Sequence, residues 1–166
     1  MSAQAKVEFL SKRTERPIYY ASSAGRNAKH EIDQPMNIVS VEVADARDRS
    51  DEDERDEFGL HRSGFELLKF PTRVNDFLDP EQITSVYEAE IEGFLKSVTG
   101  CYRVHIFDHT LRASDPDLRE QKQVREPATL VHNDYTSKSG FVCLEENLGE
   151  DAEALSMGRF QIVNVW

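Results

Sequence analysis

The sequence predicts an α+β fold that is mainly β, with one prominent amphipathic helix at about residues 80–99. Three observations carry that expectation. Apolar and polar residues alternate with the period of a half-buried strand in "MNIVSVEVADAR", "CYRVHIF" and "ATLVHNDYT". One segment, residues 83–98, instead repeats its apolar residues at helical spacing. The chain of 166 residues, 39% hydrophobic and 31% charged, has material for a single domain with one modest core and long exposed connections.

Taken in order, residues 1 to about 30 predict an extended piece through "RPIYY" and then a loop. "MNIVSVEVADAR" predicts a strand, with Val39, Val41 and Val43 on one face. From Asp45 to Glu57 there are eight acids and three arginines, a block that repels itself and has little to bury, so an acidic mobile loop at 45–57 is expected. A calcium loop is the alternative there, but the glycine and closing glutamate of an EF-hand are missing. "GFELLKFPTRVNDFLD" predicts a short strand and a turn around Pro71. The helix then opens with Asp79 as N-cap, Pro80 at the first helical position and Gln82 in a capping-box-like relation to Asp79. Ile83, Val86, Tyr87, Ile91, Phe94, Leu95 and Val98 form its core stripe, and Gly100 ends it.

Beyond Gly100, "CYRVHIF" predicts a strand with Tyr102, Val104 and Ile106 opposite Arg103, His105 and Phe107. A polar connection ends at Pro127, "ATLVHNDYT" predicts a strand running into a turn that "SKSG" completes, "EENLGEDAEALSMG" a short helix or loop, and "RFQIVNVW" a final strand.

A net charge of −11 and a pI near 4.9, without any Lys/Arg cluster, argue against nucleic acid and anionic membrane as partners. Cys101 and Cys143 predict free thiols rather than a disulfide framework or a CxxC metal knuckle. "MSAQAKVEFL" has no apolar signal region, and no apolar run approaches the roughly 18 residues of a membrane span. A cytoplasmic location is therefore expected. Nothing in the composition indicates an oligomeric state.

His132 and Asp134 are the residues most suited to chemistry. On a strand, residues two apart face the same way, with Cβ atoms roughly 6–7 Å apart. An imidazole and a carboxylate so placed can lean onto one ion, and they supply two members of the two-histidine, one-carboxylate triad that binds Fe(II) in non-heme oxygenases. Spacing alone leaves the alternative of a solvated strand end. Arg125 and Glu126 read as an exposed pair, and Asn133 and Tyr135 as lying on the opposite face.

"HIFDHTLR", "REPATLVHNDYTSKSG" and "GRFQIVNVW", in this order and spacing, resemble the family of the cephamycin methoxylase component, the fungal AsaB-type hydroxylases and the gibberellin desaturase-like proteins. "VEVADAR", "GFELLKFPTRVNDFLD" and "KSVTG" agree with it, so that the resemblance runs from about Val39 to Trp166. It implies a partial double-stranded β-helix of the jelly-roll or cupin-like kind. It implies an Fe(II)/2-oxoglutarate-type oxygenase, a hydroxylase or desaturase acting on a small, secondary-metabolite-like substrate. His132 and Asp134 would be metal ligands, with no catalytic residue beyond them, and His105 and His109 would line or pack against the pocket. A triad completed by His105 or His109 is the alternative arrangement.

The sequence departs from the family in two places. The family has an Arg-Val pair after the metal-binding turn where this chain reads "SGFVCLEEN". Family members also continue well past the "NVW" strand, into the part that carries the distal histidine and the basic group for 2-oxoglutarate. The histidines here are His30, His61, His105, His109 and His132, none of them after His132. A single, truncated oxygenase-like domain over 1–166 is expected, with weak or absent turnover by this chain alone. Two other functions stand beside the oxygenase: a non-catalytic truncated or decayed oxygenase fragment, and a methyltransferase. The latter is disfavoured because none of the eight glycines forms the GxGxxG turn of a Rossmann site.

Overall fold

The structure, a computed structural model, describes residues 2–11, 17–21, 30–45 and 59–166. The acidic segment expected to be a mobile loop at 45–57 lies outside them apart from Asp45. The described residues group into two compact units, 1–130 and 131–166.

In the first unit, β1 (Ser2–Leu10) pairs antiparallel with β4 (Met36–Ala44) along their whole length. The register sets Ala5 opposite Val41 and Val7 opposite Val39, and all four are half-buried. Such facing apolar pairs are the stabilising unit of an antiparallel ladder. The strand expected around residues 38–43 is therefore present, and the N-terminal segment is its partner. A second small ladder joins β2 (Tyr19–Ala21) to β3 (His30–Ile32).

A single helical turn, α1 (Leu60–Ser63), follows. The predicted long helix runs continuously over 80–99 as α2 (Pro80–Gln82), a π-helical turn (Ile83–Tyr87) and α3 (Glu88–Thr99). Asp79 Oδ1 accepts from Glu81 N at 2.9 Å, and Pro80 occupies the first position as expected. Gln82 does not close a reciprocal capping box. Its Nε2 donates to Asp79 Oδ2 at 3.1 Å and its Oε1 accepts from Asn75 N at 2.9 Å. The Gln82 amide and the Glu81 N–H together hold the Asp79 carboxyl below its usual range. Gly100 ends α3 in the left-handed region at φ 70. Every member of the predicted apolar stripe is buried or half-buried, with Ile83 and Ile91 best covered.

The segment "GFELLKFPTRVNDFLD" forms no strand, and its turn falls at Phe77 and Leu78 rather than at Pro71. From Phe70 onward it lies along the helix in the opposite direction. Phe70 meets Phe94 with ring centroids 4.6 Å apart, Glu90 takes Thr72 and Arg73, and Phe77 meets Tyr87 edge-on at 5.3 Å. The backbone N–H groups of Arg73, Val74, Asn75 and Leu78 donate to the side chains of Glu90, Thr72, Gln82 and Asp76. With its donors satisfied in this way, the segment needs no ladder. Val74 is buried against this face and Tyr87 is desolvated, which pushes its phenol up.

Residues 101–107 also form no ladder. Val104 and Ile106 are half-buried and Arg103, His105 and Phe107 exposed, as the alternation predicts, but Tyr102 is 81% exposed rather than inward. The polar connection after it contains α4 (Pro116–Lys122), whose Asp115 N-cap and Pro116 repeat the Asp79–Pro80 device. Around α4 the chain closes on itself: Ala113 N donates to Arg125 O at 2.9 Å and Arg125 N to Leu111 O at 3.1 Å. "ATLVHNDYT" contributes one parallel bridge, Leu130 to Glu8, instead of a strand.

In the second unit, "SKSG" begins a helix instead of completing a turn. α5 (Ser137–Leu148) is capped by Thr136, whose Oγ1 accepts from Ser139 N at 3.1 Å while Ser139 Oγ accepts from Thr136 N at 2.8 Å. This is a capping box with serine in the place of glutamate. A 3₁₀ turn (Gly149–Asp151) and α6 (Ala152–Ser156) follow. Cys143 and Ala152 are the buried core of this unit, and Cys101 and Cys143 are both free thiols as expected.

The predicted final strand "RFQIVNVW" is in no ladder among the described residues. It is laid back along α5, with Phe160 edge-on to Phe141 at 5.1 Å and Ile162 Cδ1 3.8 Å from where a Cβ on Gly140 would stand. The sheet of a double-stranded β-helix is thus not seen among the described residues. The α+β class holds, but it is not mainly β among the described residues: helices outweigh strands there, because "CYRVHIF", "ATLVHNDYT" and "RFQIVNVW" enter no ladder and "SKSG" starts a helix.

Candidate metal site

Three residues of the second unit meet just before α5. His132 Nε2 lies 3.4 Å from Asp134 Oδ1. Asn164 Nδ2 donates to the other carboxylate oxygen, Asp134 Oδ2, at 2.6 Å. The sequence places His132 and Asp134 on one strand face, whereas the structure brings them together through a bend at Asp134. The bend is backed by the Thr136 cap two residues later, which fixes the first turn of α5.

Both side chains are about half exposed, at 48% and 45%, so an ion can reach them from solvent. Two donors about 2.1 Å from one ion and at right angles to each other stand about 3 Å apart. A separation of 3.4 Å is close to that, and the pairing of imidazole nitrogen with carboxylate oxygen suits a borderline divalent cation. Among the described residues, no three His, Cys, Asp or Glu side chains gather at metal-binding geometry.

His105 and His109 both belong to the first unit. His105 is exposed. His109 Nε2 stands 3.0 Å from Glu88 Oε1 at the start of α3, a contact that ties residue 109 to the helix. Asn133 and Tyr135, flanking Asp134, are both exposed.

Asn164 is the residue of the site that the sequence reading missed. Its signal is the extended period of two: Phe160, Ile162 and Asn164 fall on one face of "RFQIVNVW". The first two dock on α5, and the third arrives at Asp134.

The comparisons with known proteins agree in direction. The family model described as "Oxidoreductase/YMDC permease-like domain" matches residues 7–166. The alpha-ketoglutarate-dependent dioxygenase phiK of a fungal species is 30% identical over 135 residues, covering 79% of this chain and 46% of the relative. The alpha-ketoglutarate-dependent dioxygenase tstK of Talaromyces stipitatus is 28% identical over 137 residues, again 79% of this chain and 48% of the relative. The hydroxylase/desaturase CTB9 of Cercospora beticola is 31% identical over 122 residues, 66% of this chain and 37% of the relative. The chain thus spans less than half the length of these curated relatives. Among solved structures, the iron and alpha-ketoglutarate-dependent endoperoxidase NvfI superimposes with a TM-score of 0.66 at 21% identity, over 94% of this chain and 55% of that one. At that identity the likeness speaks to the fold, which this chain shares with just over half of that structure. No helix among the described residues is long and apolar enough to cross a membrane.

Proposed function

Since the chain belongs to the oxygenase family of the cephamycin methoxylase component, the fungal AsaB-type hydroxylases and the gibberellin desaturase-like proteins, we propose that it supplies two protein ligands, His132 and Asp134, to the Fe(II) site of a 2-oxoglutarate-dependent hydroxylase or desaturase. The substrate class is a small, secondary-metabolite-like molecule. The observation that carries the proposal is the facing of His132 Nε2 and Asp134 Oδ1 across 3.4 Å, in a chain whose relatives are named as such dioxygenases. Neither a methyltransferase nor a decayed fragment is favoured by those names. The scaffold is read as a partial double-stranded β-helix.

The roles of the residues follow from their positions. His132 offers a neutral nitrogen and Asp134 a charged oxygen from the same side, leaving the remaining positions around an ion open. Asp134 brings one negative charge to offset the charge of the ion. Bound there, Fe(II) would supply oxidative chemistry with 2-oxoglutarate and O₂, and the protein would orient the reactants and limit water. His105 and His109 are assigned to packing within the first unit, where His109 meets Glu88. A third protein donor is not among the described residues gathered here, so two-ligand binding by this chain is weaker than a full triad would give.

The test is anaerobic addition of Fe(II) and 2-oxoglutarate to the purified chain, followed by the visible charge-transfer absorption of the chelated keto acid. A band present in the wild type and lost in His132→Ala is expected. A band of equal strength in both would overturn the assignment.

A further inference from the structure

We infer that Asn164 is a positioning residue for the metal site, clamping the Asp134 carboxylate so that Oδ1 is presented on the His132 side. This rests on the metal reading of His132 and Asp134 proposed above and adds a residue to that site.

The geometry is directional. A carboxylate only accepts hydrogen bonds, so the Asn164 atom 2.6 Å from Asp134 Oδ2 is the amide nitrogen, and the orientation of the side-chain amide follows. Hydrogen bonding to an ionised group is among the stronger kinds. With Oδ2 engaged by Asn164, Oδ1 is the oxygen facing His132 Nε2 at 3.4 Å. Asp134 is thereby preset as a one-oxygen ligand, which leaves more of the ion's surface to other groups.

Asn164 is exposed, and the segment that carries it is anchored two and four residues earlier. Phe160 and Ile162 share its face of the extended segment and rest on Phe141 and Gly140 of α5. The same helix is capped by Thr136, two residues after Asp134. Both segments are therefore registered on one helix, and the hydrogen bond between Asn164 and Asp134 is in place before an ion arrives. Outer hydrogen-bond partners of this kind orient ligands and tune affinity at metal sites.

Co(II) serves as the probe, because its visible bands report coordination without turnover. It is titrated into the wild-type chain, Asn164→Leu, Asn164→Gln and His132→Ala, with melting curves recorded for each. The expected result is a loss of affinity of about tenfold or more in Asn164→Leu, the scale seen for outer partners of metal ligands. Asn164→Gln, which keeps an amide N–H, recovers most of it, and melting temperatures stay at the wild-type value. Wild-type affinity and band shape in Asn164→Leu, with binding lost in His132→Ala, would overturn the role of Asn164 while leaving the site intact. Equal loss in Asn164→Leu and Asn164→Gln with lowered melting temperatures would mark Asn164 as packing and overturn it as well. Equal Co(II) binding in the wild type and His132→Ala would remove the site, and this inference with it.

Discussion

His132 Nε2 and Asp134 Oδ1 face each other across 3.4 Å at the entrance to α5, although no strand aligns them. The bend at Asp134 and the cap at Thr136 do so instead. The site therefore depends on how firmly the first turn of α5 is set.

Thr136 sets that turn. Thr136→Ala removes the acceptor for Ser139 N and leaves Ser139 Oγ with the Thr136 backbone N–H. Loss of an N-cap costs about 1 kcal/mol. Urea unfolding followed by far-UV circular dichroism should show a drop of that size, with Thr136→Ser close to wild type. No change in Thr136→Ala would mean the cap does not hold the helix.

Acid should loosen the first unit through Glu90. Thr72 first, and then Arg73, hydrogen-bond its carboxylate and hold it below the usual glutamate range. A carboxyl with a lowered folded-state value contributes stability that is present above its unfolded value, about pH 4.3, and lost as pH falls through the folded one. Between about pH 5 and more acidic conditions, the wild type should therefore lose stability more steeply than Glu90→Gln. Parallel slopes would contradict the clamp of residues 72–73 onto α3.

Two glycines of the same region should respond with opposite sign. Gly100 sits at φ 70 with open space around it, so Gly100→Ala costs backbone strain alone, about 1 kcal/mol. Gly93 is mid-helix and equally uncrowded, so Gly93→Ala should stabilise by about 0.5–1 kcal/mol. Thermal melts of the two variants check both, and a shift in the same direction would contradict the assigned helix end.

The sequence made legible what local chemistry dictates. Asp79, Pro80, the apolar stripe and Gly100 define the helix over 80–99 by themselves, and the valines of 36–44 define a strand. Other features depend on partners far along the chain. "SAQAKVEFL" became β1 because β4 offers Val39 and Val41 in register, and "FPTRVND" gave up strand pairing because Glu90 and Gln82 satisfy its N–H groups. "TSKSG" reads as a turn because serine and glycine are weak helix formers, and its capping box uses serine where glutamate is the usual signal. Within the site, His-x-Asp was legible as a spacing, whereas Asn164 was not, because 30 residues separate it from Asp134.

Divalent metal affinity tests the central claim most directly. The chain carries 31 acidic residues, so Fe(II) is titrated anaerobically by calorimetry against an excess of Mg²⁺, which occupies sites made of oxygen alone. One Fe(II) should bind the wild type under these conditions. His132→Ala and Asp134→Ala should each weaken it by no less than about tenfold, the least that loss of a supporting partner costs. Undiminished Fe(II) binding in both variants would contradict the assignment of His132 and Asp134 as the metal pair.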